Sequence, residues 1–147
     1  METKSKRDEV IEIVNKLFIY TDNRQWQALL KEVFKENVFF DMSSMSGQPG
    51  SDMKASAICD AWKEGFKDID AVQHLAGNYL VRFKEEETKA DVLCYANAIH
   101  YREAAQNEKT REFVGSYDIH LVLTDYGWRI DRFKYNLKFI TGNQSLS

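Results

Sequence analysis

A chain of 147 residues has the length of one domain with room for a real core. Its 44% hydrophobic and 29% charged content belongs to a folded globular protein, not a disordered one. A net charge of −3, with no Lys/Arg run interleaved with aromatics, argues against a nucleic-acid surface.

The opening METKSKRDEV lacks the apolar stretch of a signal peptide, and no apolar run approaches the roughly 20 residues that span a bilayer. The expected setting is therefore the cytoplasm, with no membrane partner. Val10, Ile13, Val14 and Leu17 repeat at helical spacing and predict an amphipathic helix over about 5–20. Trp26, Leu29, Leu30, Val33 and Phe34 predict a second, shorter helix. Asn37 to Met42 reads as a short strand. Ser43 to Asp52, with four serines, two glycines and the sole proline, reads as a loop. Ile58, Ala61, Trp62 and Phe66 mark a third helix that ends near Asp68.

The period then changes from helical to alternating. Strands are predicted over about 72–83, 90–102, 112–124 and 127–139, separated by polar turns. Helices followed by an antiparallel meander give an α+β architecture, helices packed on one face of a curved sheet, as a single domain over 1–147. Cys59 and Cys94 lack metal-ligand spacing and read as free thiols.

His74 and His100 flank the turn between the first two long strands. A five-residue loop sets His74 opposite His100, and a three-residue loop sets it opposite Ala98. Either way both imidazoles share one face, because strand side chains alternate. Cross-strand neighbours lie about 4.5–5.5 Å apart at Cβ, so the pair could serve one small substrate as acid and base. The even-numbered face carries His74, Ala76, Asn78, Ala96, Ala98, His100, Ser116, Asp118 and His120, which predicts a pocket beneath the helices. The odd-numbered face carries Leu75, Tyr79, Val81, Tyr95, Ile99, Tyr101, Phe113, Tyr117, Ile119 and Leu121, and needs cover from a second copy. Asp22 before Gln25 also reads as a helix-capping box. His120 is placed at the sheet rim, and the three tryptophans read as packing. Three histidines with Asp118 lack the spacing of a metal site, and no Gly-rich nucleotide loop is present, so neither metal nor cofactor is expected.

The order of elements, with IYTDNRQWQALLKEVF, QHLAGN, IHYRE, FVGSYDIHLVLT and YGWRIDRF, resembles the SnoaL-like branch of the NTF2-like superfamily over nearly the whole chain. The resemblance implies a cone: a bent antiparallel sheet wrapped around N-terminal helices, a pocket at the open end, and a homodimer through the outer sheet face. The functional pattern is most similar to scytalone dehydratase, and the same segments also resemble the small β-subunits of ring-hydroxylating dioxygenases. By the dehydratase pattern, Asp22 matches the acid after the first helix, and His74 and His100 match the two catalytic histidines. The carboxylate is expected to fix a tautomer of His100 and favour its protonated form. Thr21 stands where that pattern has a tyrosine, with Tyr20 adjacent. Met42 or Asp41 stands at the second tyrosine, and Ser116 to Asp118 give no clean match to its serine and asparagine. The implied function is a cofactor-independent lyase or isomerase acting on a small apolar carbonyl or polyketide-like compound. Its catalytic residues would be His74, His100 and Asp22, and its substrate contacts Tyr20, Asn78, Ser116 and Asp118. The alternatives are a non-catalytic small-molecule binder and an accessory subunit.

Overall fold

The computed structural model describes residues 3–147. Helix α1 (Lys6–Asp22) starts at Ser5, whose hydroxyl accepts from the Asp8 amide, and buries Val10, Ile13, Val14, Leu17 and Phe18. It stops in a Schellman turn. The Gln25 amide donates to the Tyr20 carbonyl, and the Arg24 amide donates to the Thr21 carbonyl, with Arg24 in the left-handed region at φ 56°. The predicted second helix forms as a short α2 (Trp26–Ala28) running into a π-helical turn, Leu29–Val33. Asp22 caps neither. It is the last residue of α1, and the residue before α2 makes no side-chain cap, so the capping-box reading is overturned.

Strand β1 (Phe34–Asp41) begins three residues earlier than expected. The predicted loop holds a short helix, α3 (Ser43–Ser46), and an edge strand, β2 (Ser51–Lys54), which pairs antiparallel with β1. Helix α4 (Ala55–Gly65) follows, then β3 (Ala71–Lys84), β4 (Lys89–Tyr101), β5 (Thr110–Thr124) and β6 (Gly127–Gly142). The six strands form one bent sheet in the order β2-β1-β6-β5-β4-β3, antiparallel except where β1 runs parallel to β6. This is the expected α+β arrangement, with α1 lying across β3 and α4 across β1. The core between helices and sheet joins Leu17, Leu29, Ile58, Val92, Leu121 and Ile130, all essentially without exposure.

Register decides which residues face that core. The β3–β4 turn has four residues, pairing Lys84 with Lys89, and that count alone would set odd residues opposite even ones. A bulge between Gly77 and Leu80, with Asn78 at φ 57°, removes the offset, so His74 pairs with Ala98. Beyond the bulge the parity of β3 reverses: Tyr79, Val81 and Phe83 turn inward, while Asn78 and Leu80 are exposed. The predicted faces of β5 are also inverted. Ala98 pairs with Phe113 and Cys94 with Tyr117, so Phe113, Tyr117, Ile119 and Leu121 are buried. Ser116, Asp118 and His120 therefore lie on the outer face. The predicted apolar and aromatic outer face is thus split between the two sides; of its members Leu75, Tyr95 and Ile99 remain exposed.

Both cysteines are free and buried, and burial pushes their thiols up, Cys59 to about 11 and Cys94 to about 12. No helix among the described residues is long and apolar enough to cross a membrane.

Candidate functional site

The inward side chains leave a cavity of about 180 Å³ between the helices and the sheet. Leu17, Phe18 and Thr21 of α1 form one wall, and Trp62 of α4 with Phe66 forms another. Met42, just before α3, and Met45 within it close over the cavity. The sheet contributes His74, Ala98, His100, Phe113, Tyr117, Phe133 and Tyr135. No Lys, Arg, Asp or Glu is among these lining residues, so the cavity suits an uncharged molecule.

The Schellman turn aims the Asp22 carboxylate across to β3. Its Oδ2 accepts from the His74 amide at 2.7 Å, and its Oδ1 meets His74 Nδ1 at 2.6 Å. The two side chains are 12% and 10% exposed. An ionised carboxylate can only accept, so Nδ1 carries a proton, and in the neutral form of the ring it is Nε2 that holds the lone pair. Phe18 stacks on this imidazole at 5.1 Å and fixes its plane. The carboxylate therefore orients His74, not His100 as expected from the sequence.

His100 is held differently. Arg111, its cross-strand neighbour on β5, donates from Nε to His100 Nδ1 at 3.1 Å. Phe66 meets the ring edge-on at 5.6 Å and Phe113 lies 5.1 Å away. Burial, with the Arg111 charge and His74 adding to it, pushes the imidazole down to about 3. His100 is neutral where an ordinary histidine begins to charge, which overturns the expectation of a favoured imidazolium.

Two tyrosines complete the polar inventory. Tyr117 and Tyr135 pack at 4.8 Å between ring centroids, and burial pushes both hydroxyls up. The Tyr135 hydroxyl is fully buried without a hydrogen-bond partner. It fits because β5 has Gly115 beside it: a Cβ there would lie 2.2 Å from the Asn136 carbonyl oxygen and 2.8 Å from the Tyr135 hydroxyl.

The structure thus brings His74 and His100 to one cavity, with Asp22 bonded to His74 but not itself lining it, and leaves the expected substrate contacts outside. Tyr20 turns toward Glu32, 3.4 Å away, because it lies one helical step off the face that Thr21 presents. Asn78 sits in the exposed bulge. Ser116 and Asp118 receive Asn136 Nδ2 on the outer face, at 3.3 and 2.8 Å. Met42, not Asp41, lines the cavity; the Ser43 side chain first, and then the Ser43 amide that donates to Asp41, hold its carboxyl below the usual range. Sequence reasoning missed Arg111, Tyr117 as an inward residue, and Tyr135. For Arg111 the available signal was its register opposite His100. No group of three or more His, Cys, Asp and Glu side chains among the described residues is placed to hold a metal ion.

A family model described as a SnoaL-like domain matches residues 2–134. Among solved structures, the Kfla4162 protein from Kribbella flavida is similar with a TM-score of 0.89 at 23% identity, covering 96% of this chain and 95% of that one. A protein titled "putative scytalone dehydratase" from Novosphingobium aromaticivorans is similar with a TM-score of 0.77 at 17% identity, covering 90% and 84%. The hexachlorocyclohexane dehydrochlorinase LinA-type3 from Novosphingobium barchaimii follows with a TM-score of 0.74 at 11% identity, covering 92% and 88%. At these identities the likeness speaks for the fold. The search of curated proteins gives no match.

Proposed function

Because this chain belongs to the SnoaL-like domain family, we propose that its cavity runs a proton-transfer reaction of the lyase or isomerase class on a compact, mostly apolar carbonyl compound. His74 is the general base and Asp22 its orienting carboxylate. The reading is supported above all by the 2.6 Å contact between Asp22 and His74 Nδ1 at the cavity wall. That contact leaves Nε2 free to take a proton from carbon, and the imidazolium so formed is stabilised by the carboxylate behind it. The chemistry needs no cofactor, since base and donors are all side chains. The relatives named as a dehydratase and a dehydrochlorinase are eliminating enzymes by name, which fits a base at this place in the fold.

The test is deuterium wash-in at the acidic carbon of β-tetralone and other compact cyclic ketones in heavy water, followed by NMR. Wild-type protein should accelerate exchange, and His74→Ala should lose roughly 10²–10⁴-fold of that acceleration. Equal exchange by the variant, or none above background by the wild type across the ketones, removes the assignment.

The reading includes a homodimer. Leu75, Asn97, Val114 and Phe139 form one cross-strand row on the outer face, and Tyr95 and Ile99 flank it, an apolar strip that a second copy would bury. A monomeric mass by light scattering at micromolar concentration would count against it.

A further inference from the structure

The two cavity histidines are locked in opposite senses, and the lock on the second one lies outside the cavity. Arg111 does not line the cavity, yet its Nε–H points at His100 Nδ1. A guanidinium is never an acceptor and stays protonated, so the nitrogen it donates to must be the unprotonated one. The single ring proton of His100 is thereby forced onto Nε2. For His74 the partner is a carboxylate, which holds a proton on Nδ1, so that the neutral ring has its unprotonated nitrogen at Nε2.

Arg111 is itself held on three sides. Its Nη1 donates to the Gln144 carbonyl at 2.9 Å, its guanidinium lies 5.3 Å over the Phe113 ring, and the strand pairs it with His100 in register. The charged or titratable groups that face His100 are Arg111 from β5 and His74 from β3, while Phe66 and Phe113 close the apolar sides. Among the described residues no negative group is placed against the ring to favour a second proton.

We propose that Arg111 is a positioning residue that presets His100 as a neutral Nε2–H donor, making the site selective for an uncharged ketone or enone whose oxygen that donor holds. This rests on the proton-transfer reading of the cavity and adds its electrophilic half. His74 Nε2 takes the proton from the carbon next to the carbonyl, and the C–H electron pair moves into the new carbon–carbon double bond. The carbonyl π pair moves onto oxygen, where the Nε2–H of His100 stabilises the enolate by hydrogen bonding without giving up its proton. With a saturated ketone the proton returns to the same carbon and only exchange results. With a β,γ-unsaturated ketone its return to the γ-carbon of the dienolate shifts the double bond into conjugation and completes an isomerisation. A neutral imidazole is suited to this task, because it polarises the oxygen without adding a charge to a dry site.

The experiment is imidazole NMR on ring-¹⁵N-labelled protein, with wild type, Arg111→Lys and Arg111→Met compared between about pH 5 and 8. In the wild type, His100 should show a proton on Nε2, a bare Nδ1, and no titration in that window. In Arg111→Met the ring should become a tautomer mixture or take up a second proton. Arg111→Lys, which keeps a cationic donor, should restore at least part of the Nε2–H signature. His74 should keep its Nδ1–H pattern in all three, which also reports that the fold is intact. In the ketone exchange assay, Arg111→Met should lower kcat by roughly 10²-fold with a smaller change in KM, and add an acidic limb to the pH profile. Lysine should recover part of the rate. A wild-type His100 that is an imidazolium or carries its proton on Nδ1 overturns the proposal, even if exchange still depends on His74. A wild-type spectrum as expected but no ketone exchange overturns the proton-transfer reading, and the ketone selectivity with it, while the Arg111–His100 lock stands.

Discussion

The molecule contains two His–Asp pairs of nearly identical geometry, one on each side of its sheet. Asp22 meets His74 at 2.6 Å, and Asp131 meets His120 at 2.5 Å. Their surroundings are opposite. The inner carboxylate also accepts a backbone amide and its imidazole opens on a cavity without a charged wall. The outer pair sits on neighbouring strands, and its His120 lines a larger groove of about 600 Å³ together with Arg82, Asp91, Asp118, Arg132 and Lys134. In that groove fixed charges of both signs surround the imidazole, whereas the cavity has no charged wall to compete with its dipoles. A dyad is therefore not a site by itself. What its free nitrogen faces makes the difference, and here the smaller hollow is the better chemical environment.

The sharpest way to break the comparison is to disable each pair in turn. His74→Ala should cost roughly 10²–10⁴-fold in ketone exchange, and Asp22→Asn should fall in the same direction by removing the tautomer lock and the imidazolium's counter-charge. His120→Ala and Asp131→Asn should leave exchange within about twofold, as changes distant from the chemistry do. Equal losses on the two sides would mean that the pairs matter as struts and that the cavity is not special.

A second effect belongs to stability. The usual histidine value is 6.5, and His100 is held down to about 3 by burial, Arg111 and His74. Above pH 6.5 the ring is neutral both folded and unfolded, so it adds no pH dependence. Below that, the unfolded chain gains a proton that the folded chain refuses, and stability is lost as the pH falls toward 3. The slope from this one group starts at about 0.7 kcal/mol per pH unit at about pH 6.5 and approaches about 1.4 near about pH 5. Urea unfolding between about pH 6.5 and 5, above the range where most carboxylates titrate, should show that slope in the wild type and a reduced one in His100→Gln. Identical slopes would mean that the ring takes up its proton inside the cavity.

How much of this was legible in the chain follows from what sets each feature. The helix periods and the alternation after residue 70 are local, and they yielded the α+β layout and the long strands within a few residues. The approach of Asp22, His74 and His100 was also legible, through the resemblance and the shared parity of the two strands. The partner choice was not. Whether Asp22 reaches His74 or His100 depends on the Schellman turn at Arg24, which carries no glycine to announce it. Ser116, Asp118 and Asn78 were misplaced for a single reason: face assignments propagate by counting. A four-residue turn, a bulge at Asn78 and the unrecognised register of β5 each shift the count by one. The same slip hid Tyr117 on the inside, and Tyr135 was assigned to no face.

The smallest effect contrasts adjacent residues of β6. Asn136 points outward and its amide is satisfied by Ser116 and Asp118; Tyr135 points inward and its hydroxyl has no protein partner. Deleting an ordinary hydrogen bond costs about 1 kcal/mol, while a buried hydroxyl left unpaired is itself a cost of about 1–3 kcal/mol. Asn136→Ala should therefore lower the midpoint of thermal unfolding by a few degrees, and Tyr135→Phe should leave it unchanged or raise it by about 2–4 °C. The cost belongs with the cavity's task, since a ligand oxygen that reaches this hydroxyl regains the missing bond. Tyr135→Phe should accordingly weaken binding of a ketone that carries a second oxygen more than binding of β-tetralone, which has one. If Tyr135→Phe destabilises as much as Asn136→Ala and discriminates between neither ligand, the hydroxyl is satisfied in the free protein and takes no part in recognition.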